Sequence, residues 1–177
     1  MAPTPHSVLH DIFGYDSFRG PQQGIVEHVT AGGDALVLMP TGGGKSLCYQ
    51  IPAIVRQQQG LGCSIVVSPL IALMHDQVGA LNEAGVDAAV LNSSQSYEQG
   101  QEVGWRLQSG QITLLYVAPE RLVTPSMTSK LKAGKPGLIS GSNAACDSFS
   151  GKTSVFSGSC TRKNTITNET APRSAQK

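Results

Sequence analysis

Residues 35–46 read ALVLMPTGGGKS, an apolar run followed directly by a glycine-rich loop. The apolar run at 35–38 predicts a buried strand, and the glycines that follow let the backbone approach an anion closely and turn several N–H groups towards it. The helix expected after the loop points the positive end of its dipole at the same place. Lys45 can reach the β- and γ-phosphates of a nucleotide, and the Ser46 hydroxyl can bind Mg²⁺.

The loop departs from the strict phosphate-loop pattern at one position, because Met39 stands where that pattern has its first glycine. The preceding strand, the glycine run and an amphipathic segment over 46–59 still predict a nucleotide-binding loop rather than a glycine-rich turn. A second Gly-Lys-Thr, at 151–153, follows no strand and indicates a chance match. ATP is the expected cofactor, with Lys45 as the catalytic residue and Ser46 as the Mg²⁺ ligand. The residues predicted to hold the triphosphate are Pro40, Thr41, Gly42, Gly43, Gly44, Lys45 and Ser46.

Length and composition limit the classes of protein to which this chain can belong. A chain of 177 residues suits one domain of ordinary size. No window is apolar enough to span a membrane and Met1 to His10 shows no secretory signal, so we expect a cytoplasmic protein without a membrane partner. Cys48 and Cys63 lie in apolar stretches and are predicted to be reduced core thiols. The cysteine and histidine spacings match no metal-binding pattern.

The charge of the chain changes sign near Met127. Residues 1–127 carry five Lys and Arg against ten Asp and Glu, whereas residues 128–177 carry eight against two. Ser, Thr, Gly, Asn and Lys dominate the second range, which offers too little apolar surface to offset chain entropy. We expect a partial nucleotide-binding domain at 1–127 and a basic, mostly disordered tail at 128–177. The tail is either a solvated extension or a weak nucleic-acid contact.

Strands and helices alternate along the first range. Hydrophobic periodicity predicts helices over 7–13, 21–31, 45–59, 70–84 and 96–109, and strands over 35–39, 63–67, 86–91 and 112–117. This order predicts an α/β fold with right-handed crossovers and a parallel sheet, with the glycine loop at the ligand-binding, carboxyl edge. The sheet is expected to end after four strands and to leave an unpaired apolar edge. Trp105 is expected to be a packing residue rather than one that stacks on a base.

Three further segments accompany the loop: LHDIFGYDSFRGPQ at 9–22, SPLIALMHDQV at 68–78 and YVAPERL at 116–122. In this order, and with Met-Pro-Thr opening the loop, the chain resembles the first four motifs of RecQ-type DNA helicases of superfamily 2 over roughly residues 8–127. The resemblance implies an incomplete RecA-like P-loop motor domain. It also implies ATP hydrolysis with Mg²⁺ that drives 3′→5′ unwinding of duplex DNA, in DNA repair and recombination.

The resemblance also implies roles for single side chains. Tyr15 would stack on adenine, and Arg19 and Gln22 would hydrogen-bond the edge of the base. The alternative for Tyr15 and Phe18 is ordinary core packing. Two segments would contact the phosphates of single-stranded or forked DNA, or else serve as strand-end turns that cap helices. Their residues are Ser68, Pro69, Leu70, Pro119, Glu120 and Arg121.

The chain departs from the family at the next strand, where the family carries Asp-Glu-Ala-His. That acidic pair holds Mg²⁺ and orients the attacking water, whereas this chain reads AACD at 144–147 and contains no adjacent Asp-Glu pair. The second motor domain, with its arginine finger, is also expected to be missing. We therefore expect ATP binding with little or no hydrolysis or unwinding. The alternatives are a non-catalytic ATP- or DNA-binding module that competes with a full-length helicase, and a small P-loop kinase, which the few arginines of 47–127 disfavour.

Overall fold

The structure is a computed structural model that describes residues 3–40, 42–122, 138–141 and 154–158. The helices are α1 (Pro5–Asp11), α2 (Gln22–Thr30), α3 (Leu47–Gln58), α4 (Ile71–Glu83), α5 (Tyr97–Gln108) and α6 (Pro119–Leu122). The strands are β1 (Ala35–Leu38), β2 (Ser64–Val67), β3 (Ala88–Leu91), β4 (Leu114–Val117), β5 (Leu138–Gly141) and β6 (Ser154–Gly158).

All six strands belong to one sheet, in the order β1-β6-β5-β2-β4-β3, and every neighbouring pair is parallel. The helices and strands predicted from periodicity up to residue 117 are all present, with ends shifted by a few residues. The expected α/β class and parallel sheet are therefore confirmed.

The expectation of a four-stranded sheet is wrong. β5 and β6 fill the space between β1 and β2, with Val67 opposite Gly141 and Leu38 opposite Gly158. The sequences of β5 and β6 contain serine and glycine and give only a weak hydrophobic pattern. Each strand pairs with a neighbour on both sides, and this pairing holds it in the sheet. For these two segments the expectation of disorder does not hold. The rest of 128–177 lies outside the described residues.

The sheet separates two hydrophobic clusters because alternate side chains of a strand point to opposite faces. Val66 and Tyr116 belong to the cluster that α1 to α4 cover, whereas Ile65 and Leu115 belong to the cluster that α5 covers. β2, β3 and β4 are buried along their whole length, which explains their continuous apolar sequences.

Two predictions about the core have opposite outcomes. Cys48 and Cys63 are buried free thiols, as predicted, and burial raises the pKa of Cys48 to about 11 and that of Cys63 to about 12. Trp105 is 64% exposed, so its predicted role as a packing residue is wrong. The buried side of α5 carries Val103 and Leu107, and Trp105 lies on another face. Within the described ranges, no helix has the length and apolar character needed to cross a membrane.

Candidate functional site

The glycine loop follows the carboxyl end of β1 and leads directly into α3, as predicted. Gly42 and Gly44 have φ angles of 80° and 74°, in the left-handed region that glycine favours. A Cβ atom on Gly44 would collide with Nε2 of Gln22, so a side chain here would displace the end of the Gln22 side chain. Thr41 lies outside the described residues.

Lys45 is bound to the beginning of its own loop. Its Nζ donates to the carbonyl oxygens of Met39 at 2.7 Å and Pro40 at 3.1 Å. Pro40 also accepts a hydrogen bond from the N–H of Gly43 at 3.1 Å. These carbonyls are neutral acceptors, and the charged oxygens of a phosphate form stronger hydrogen bonds with an ammonium group. The ammonium group is therefore placed at the loop where a bound phosphate would compete for it.

The three residues assigned to adenine lie together beside the loop. Tyr15, Arg19 and Gln22 line a cavity of about 100 Å³ with residues 42–44. Tyr15 is 46% exposed, and the guanidinium carbon of Arg19 lies 5.8 Å from the centre of its ring, a cation–π contact. Phe18 instead packs against the first hydrophobic cluster. Tyr15 thus offers an open π-face next to the loop.

Gln22 is buried and connects the start of α2 to the loop. Its side-chain oxygen accepts from the N–H of Arg19 at 2.8 Å, and its Nε2 donates to the carbonyls of Gly43 at 3.1 Å and Gly44 at 3.3 Å. Recognition of the base edge by Gln22 therefore stays a prediction, since its amide is engaged with the backbone. These contacts place Gln22 between Arg19 and the glycine loop.

A larger cavity of about 470 Å³ also borders Tyr15. Its walls are mostly apolar, with Phe13 and Leu47 among them, while Asp76 and Gln77 of α4 add polar groups. Tyr15 and Gly44 line both cavities. A flat heterocycle stacked on Tyr15 would therefore have apolar surface near it on α3 and α4.

Ser46 is held from α4 by Gln77, a contact that the sequence interpretation missed. The Nε2 of Gln77 donates to the Oγ of Ser46 at 3.1 Å. Gln77 lies on the same helical stripe as the buried residues Met74 and Leu81. A glutamine within an otherwise apolar helical stripe is the sequence feature that could have identified this contact.

The Ser46 hydroxyl fits the role of a Mg²⁺ ligand, because Mg²⁺ prefers oxygen ligands. The described residues contain no group of three or more His, Cys, Asp or Glu side chains that could hold a metal. Ser46 could therefore contribute one oxygen ligand to a Mg²⁺ ion.

The two predicted DNA-contact segments lie side by side. Segment 68–70 follows β2 and segment 119–121 follows the neighbouring strand β4, and the N–H of Ser68 donates to the carbonyl of Val117 at 3.1 Å. Ser68, Pro69 and Leu70 share a cavity of about 270 Å³ with Lys45 and Ser46, and Leu70 is 60% exposed. The structure thus brings the first segment to the loop.

Asn92, at the end of β3, supports the second segment and had no role in the sequence interpretation. Its backbone oxygen accepts from Nε of Arg121 at 3.0 Å, and its Nδ2 lies 3.3 Å from Nε2 of His75 on α4. The hydroxyl of the next residue, Ser93, donates to Glu120 at 3.3 Å. Pro119 is half-buried at the start of α6. Asn92 therefore connects Arg121 to the helix that follows segment 68–70.

Comparisons with known proteins extend these findings. A family model described as DEAD/DEAH box helicase matches residues 19–139, from Arg19 into β5. The match continues beyond the composition change near residue 127, and a domain boundary at that point stays a prediction.

The chain is 48% identical over 144 residues to the ATP-dependent DNA helicase RecQ of Haemophilus influenzae, and 43% identical over 147 residues to that of Bacillus subtilis. These alignments cover 81% and 82% of this chain but 23% and 24% of the relatives, so the chain spans about a quarter of their length.

A crystal structure of the DUF1998 helicase MrfA bound to DNA and AMPPNP is similar in fold, with a TM-score of 0.72 at 17% identity. The similarity covers 92% of this chain and 26% of that one. Since the family model matches more than half of its residues, the chain belongs to the DEAD/DEAH box helicases, and along that part it is similar to bacterial RecQ proteins.

Proposed function

We propose that this chain is the nucleotide-binding part of a RecQ-type DNA helicase. It binds ATP with Mg²⁺ at the glycine loop and contacts single-stranded or forked DNA through segments 68–70 and 119–121. One observation carries the proposal: Tyr15, Arg19 and Gln22 line the same cavity as residues 42–44. An aromatic face, a cation and an anion-binding loop in contact are what an adenine nucleotide needs. Such a protein acts on DNA in the cytoplasm of a bacterial cell.

Each side chain has a definite part in binding. Tyr15 stacks on the adenine ring, and Arg19 provides positive charge beside it. Lys45 leaves the carbonyls of Met39 and Pro40 for the charged phosphate oxygens. Ser46 adds a hydroxyl oxygen for Mg²⁺, which neutralises charge on the phosphates when bound.

Hydrolysis is proposed to be weak because the acidic pair is replaced. Ser140 and Gly141, at the end of β5, line the cavity that contains Lys45 and Ser46. The next residues in the sequence are Ser142, Asn143, Ala144 and Ala145, none of which carries a carboxylate. In the family that this chain resembles, carboxylates after the corresponding strand hold Mg²⁺ and orient water. The neutral sequence supports nucleotide binding with little turnover.

A non-catalytic module that competes with a full-length helicase is the second candidate. The replaced acidic pair favours it, since a chain that binds nucleotide and DNA without that pair could occupy DNA without unwinding it. Titrating the purified chain into an unwinding assay with an intact RecQ helicase tests this. If the chain competes for DNA, it should inhibit unwinding, and Arg121→Ala should relieve that inhibition. Unchanged unwinding at a saturating concentration of the chain would contradict this second candidate function.

The main proposal is tested by measuring ATP turnover with and without single-stranded DNA, in the wild-type chain and in Lys45→Ala. The expected result is nucleotide binding that Lys45→Ala abolishes, with turnover near background under all conditions. Robust DNA-stimulated turnover that depends on Lys45 would contradict the claim of weak hydrolysis. Absence of nucleotide binding in the wild-type chain would contradict the proposed function itself.

A further inference from the structure

Gln77 occupies an unusual position for an amide side chain on α4. It is half-buried at the junction of α3, α4 and β4. Both the nitrogen and the oxygen of its side-chain amide form hydrogen bonds. Its nitrogen faces Ser46, whereas its oxygen faces the interior side chains of α3 and β4. Any role of Gln77 in placing Ser46 for Mg²⁺ rests on the proposed function, in which the Ser46 hydroxyl binds that ion.

The oxygen of Gln77 is an acceptor for three donors. It accepts from the hydroxyl of Tyr49 at 2.8 Å, from that of Tyr116 at 3.1 Å, and from Nε2 of Gln50 at 3.1 Å. Burial raises the pKa of both phenols, so they remain protonated donors at neutral pH. Rotating the amide by half a turn would set its NH₂ group against the NH₂ group of Gln50. The NH₂ group of Gln50 therefore fixes the orientation of the amide, and the two hydroxyls add further donors to its oxygen.

With its oxygen fixed on that side, the Nε2 of Gln77 is directed at Ser46. It donates to the Ser46 Oγ at 3.1 Å, and this bond restricts rotation of the serine about its Cα–Cβ bond. A serine oxygen has two lone pairs, so one remains for a metal after Gln77 has donated to the other. The contact thus prepares the oxygen without consuming its capacity to bind a cation.

We propose that Gln77 is a positioning residue that orients the Ser46 hydroxyl for Mg²⁺. It touches neither the metal nor the nucleotide in this role and acts only through Ser46. Gln50 supports it by fixing its amide, and Tyr49 and Tyr116 add further donors to the amide oxygen. The role predicts that the loss of Gln77 reduces the contribution of Mg²⁺ to nucleotide affinity and leaves metal-free affinity unchanged.

The test uses Gln77→Met, which keeps the length of the side chain and removes both polar atoms. The affinity for a fluorescent ATP analogue is measured once in excess Mg²⁺ and once in EDTA. The ratio of these two affinities is compared between variants. In Gln77→Met this ratio should fall about fivefold, the value for loss of one ordinary hydrogen bond. Gln101→Met is the matched control, because it makes the same substitution on α5 and removes an exposed hydrogen bond to Tyr97. Its ratio should equal that of the wild type.

A second measurement needs neither nucleotide nor metal. Thermal unfolding of Ser46→Ala, Gln77→Met and the double variant forms a double-mutant cycle on the ligand-free chain. Because the two side chains share one hydrogen bond, the effects on the melting temperature should be non-additive. Additive effects would show that the two side chains are not coupled.

The outcomes separate the two proposals. An unchanged Mg²⁺ ratio in Gln77→Met overturns the positioning role even if the variant is less stable, since a purely structural role predicts loss of stability alone. If the wild-type chain binds no nucleotide, the proposed function fails, and the unfolding cycle still tests the contact. If Gln77→Met does not fold, the comparison uses Gln77→Asn, which keeps an amide but is one methylene shorter and moves its nitrogen away from Ser46, so the same fall in the Mg²⁺ ratio is expected.

Discussion

Gln22 and Gly44 are in direct contact, with the glutamine Nε2 donating to the glycine carbonyl at 3.3 Å. The contact joins the beginning of α2 to the phosphate loop across a sequence separation of 22 residues. The position favours glycine, because Gly44 has a φ of 74° and a Cβ atom there would displace the same nitrogen. The segment that carries Arg19 and Gln22 therefore stabilises the conformation of the glycine loop.

This contact predicts the effect of Gly44→Ala. The substitution should cost about 1–3 kcal/mol of stability from the left-handed backbone, and it should also abolish nucleotide binding by displacing Gln22. Gly79→Ala is the matched control, since Gly79 lies inside α4 with open space around it and alanine favours helices by about 0.5–1 kcal/mol. Chemical denaturation and nucleotide titration of both variants check this. Equal stabilities of the two variants would contradict it.

The exposed ring of Tyr15 predicts a specific loss of adenine affinity. Tyr15→Ala should weaken binding of ATP by about tenfold, since stacking of a base on an aromatic side chain contributes about 1–3 kcal/mol. Tyr15→Phe should bind almost normally because it retains the ring. Tyr97→Ala removes an even more exposed tyrosine, 80% exposed on α5, and should have no effect. Isothermal titration measures all three, and normal affinity in Tyr15→Ala would remove Tyr15 from the site.

Arg121 should contribute to DNA binding through a phosphate. Arg121→Ala should weaken binding of single-stranded DNA to a similar degree for all sequences. It should also reduce the slope of log affinity against log salt concentration by about 0.7. Arg106→Ala removes the same charge from α5, where Arg106 pairs with Asp87 at 3.2 Å, and should leave the slope unchanged. Fluorescence anisotropy at several salt concentrations checks this, and equal slopes for the two variants would contradict a phosphate contact at Arg121.

The buried thiols predict how stability depends on alkaline pH. The pKa of Cys48 rises from 9.0 to about 11 on folding, because burial disfavours the thiolate. The unfolded chain therefore loses its proton first, and stability that is complete below pH 9 is lost as the pH rises towards 11. Cys48→Ala should show a shallower loss of stability between these pH values. Denaturation at pH 8, 9, 10 and 11 measures the slope, and an identical pH dependence in the variant would contradict burial of this thiol.

The sequence predicted the features that depend on local patterns. The glycine loop, the alternation of helices and strands up to residue 117, and the buried Cys48 and Cys63 all follow from spacing and hydrophobicity over short windows. Tyr15, Arg19 and Gln22 could be assigned because they resemble a family motif, and the structure places them in one cavity with the loop.

Features that depend on contacts between distant segments could not be predicted. Gln77 meets Ser46, Tyr49 and Tyr116 only after α3, α4 and β4 have packed together. β5 and β6 are strands because the sheet has space for them between β1 and β2, although their own sequences contain serine and glycine. Trp105 was misassigned because hydrophobicity alone did not reveal that α5 buries Val103 and Leu107 instead.

The central claim is that Lys45 and Tyr15 belong to one adenine-nucleotide site in a DEAD/DEAH box helicase fold. Its most direct test is competition between unlabelled nucleotides and a fluorescent ATP analogue for the purified 177-residue chain in Mg²⁺, with Lys45→Ala in parallel. We expect saturable binding that ATP and ADP displace and that CTP and UTP displace poorly. Lys45→Ala should eliminate this binding. Absence of saturable binding, or equal affinity in Lys45→Ala, would contradict the central claim.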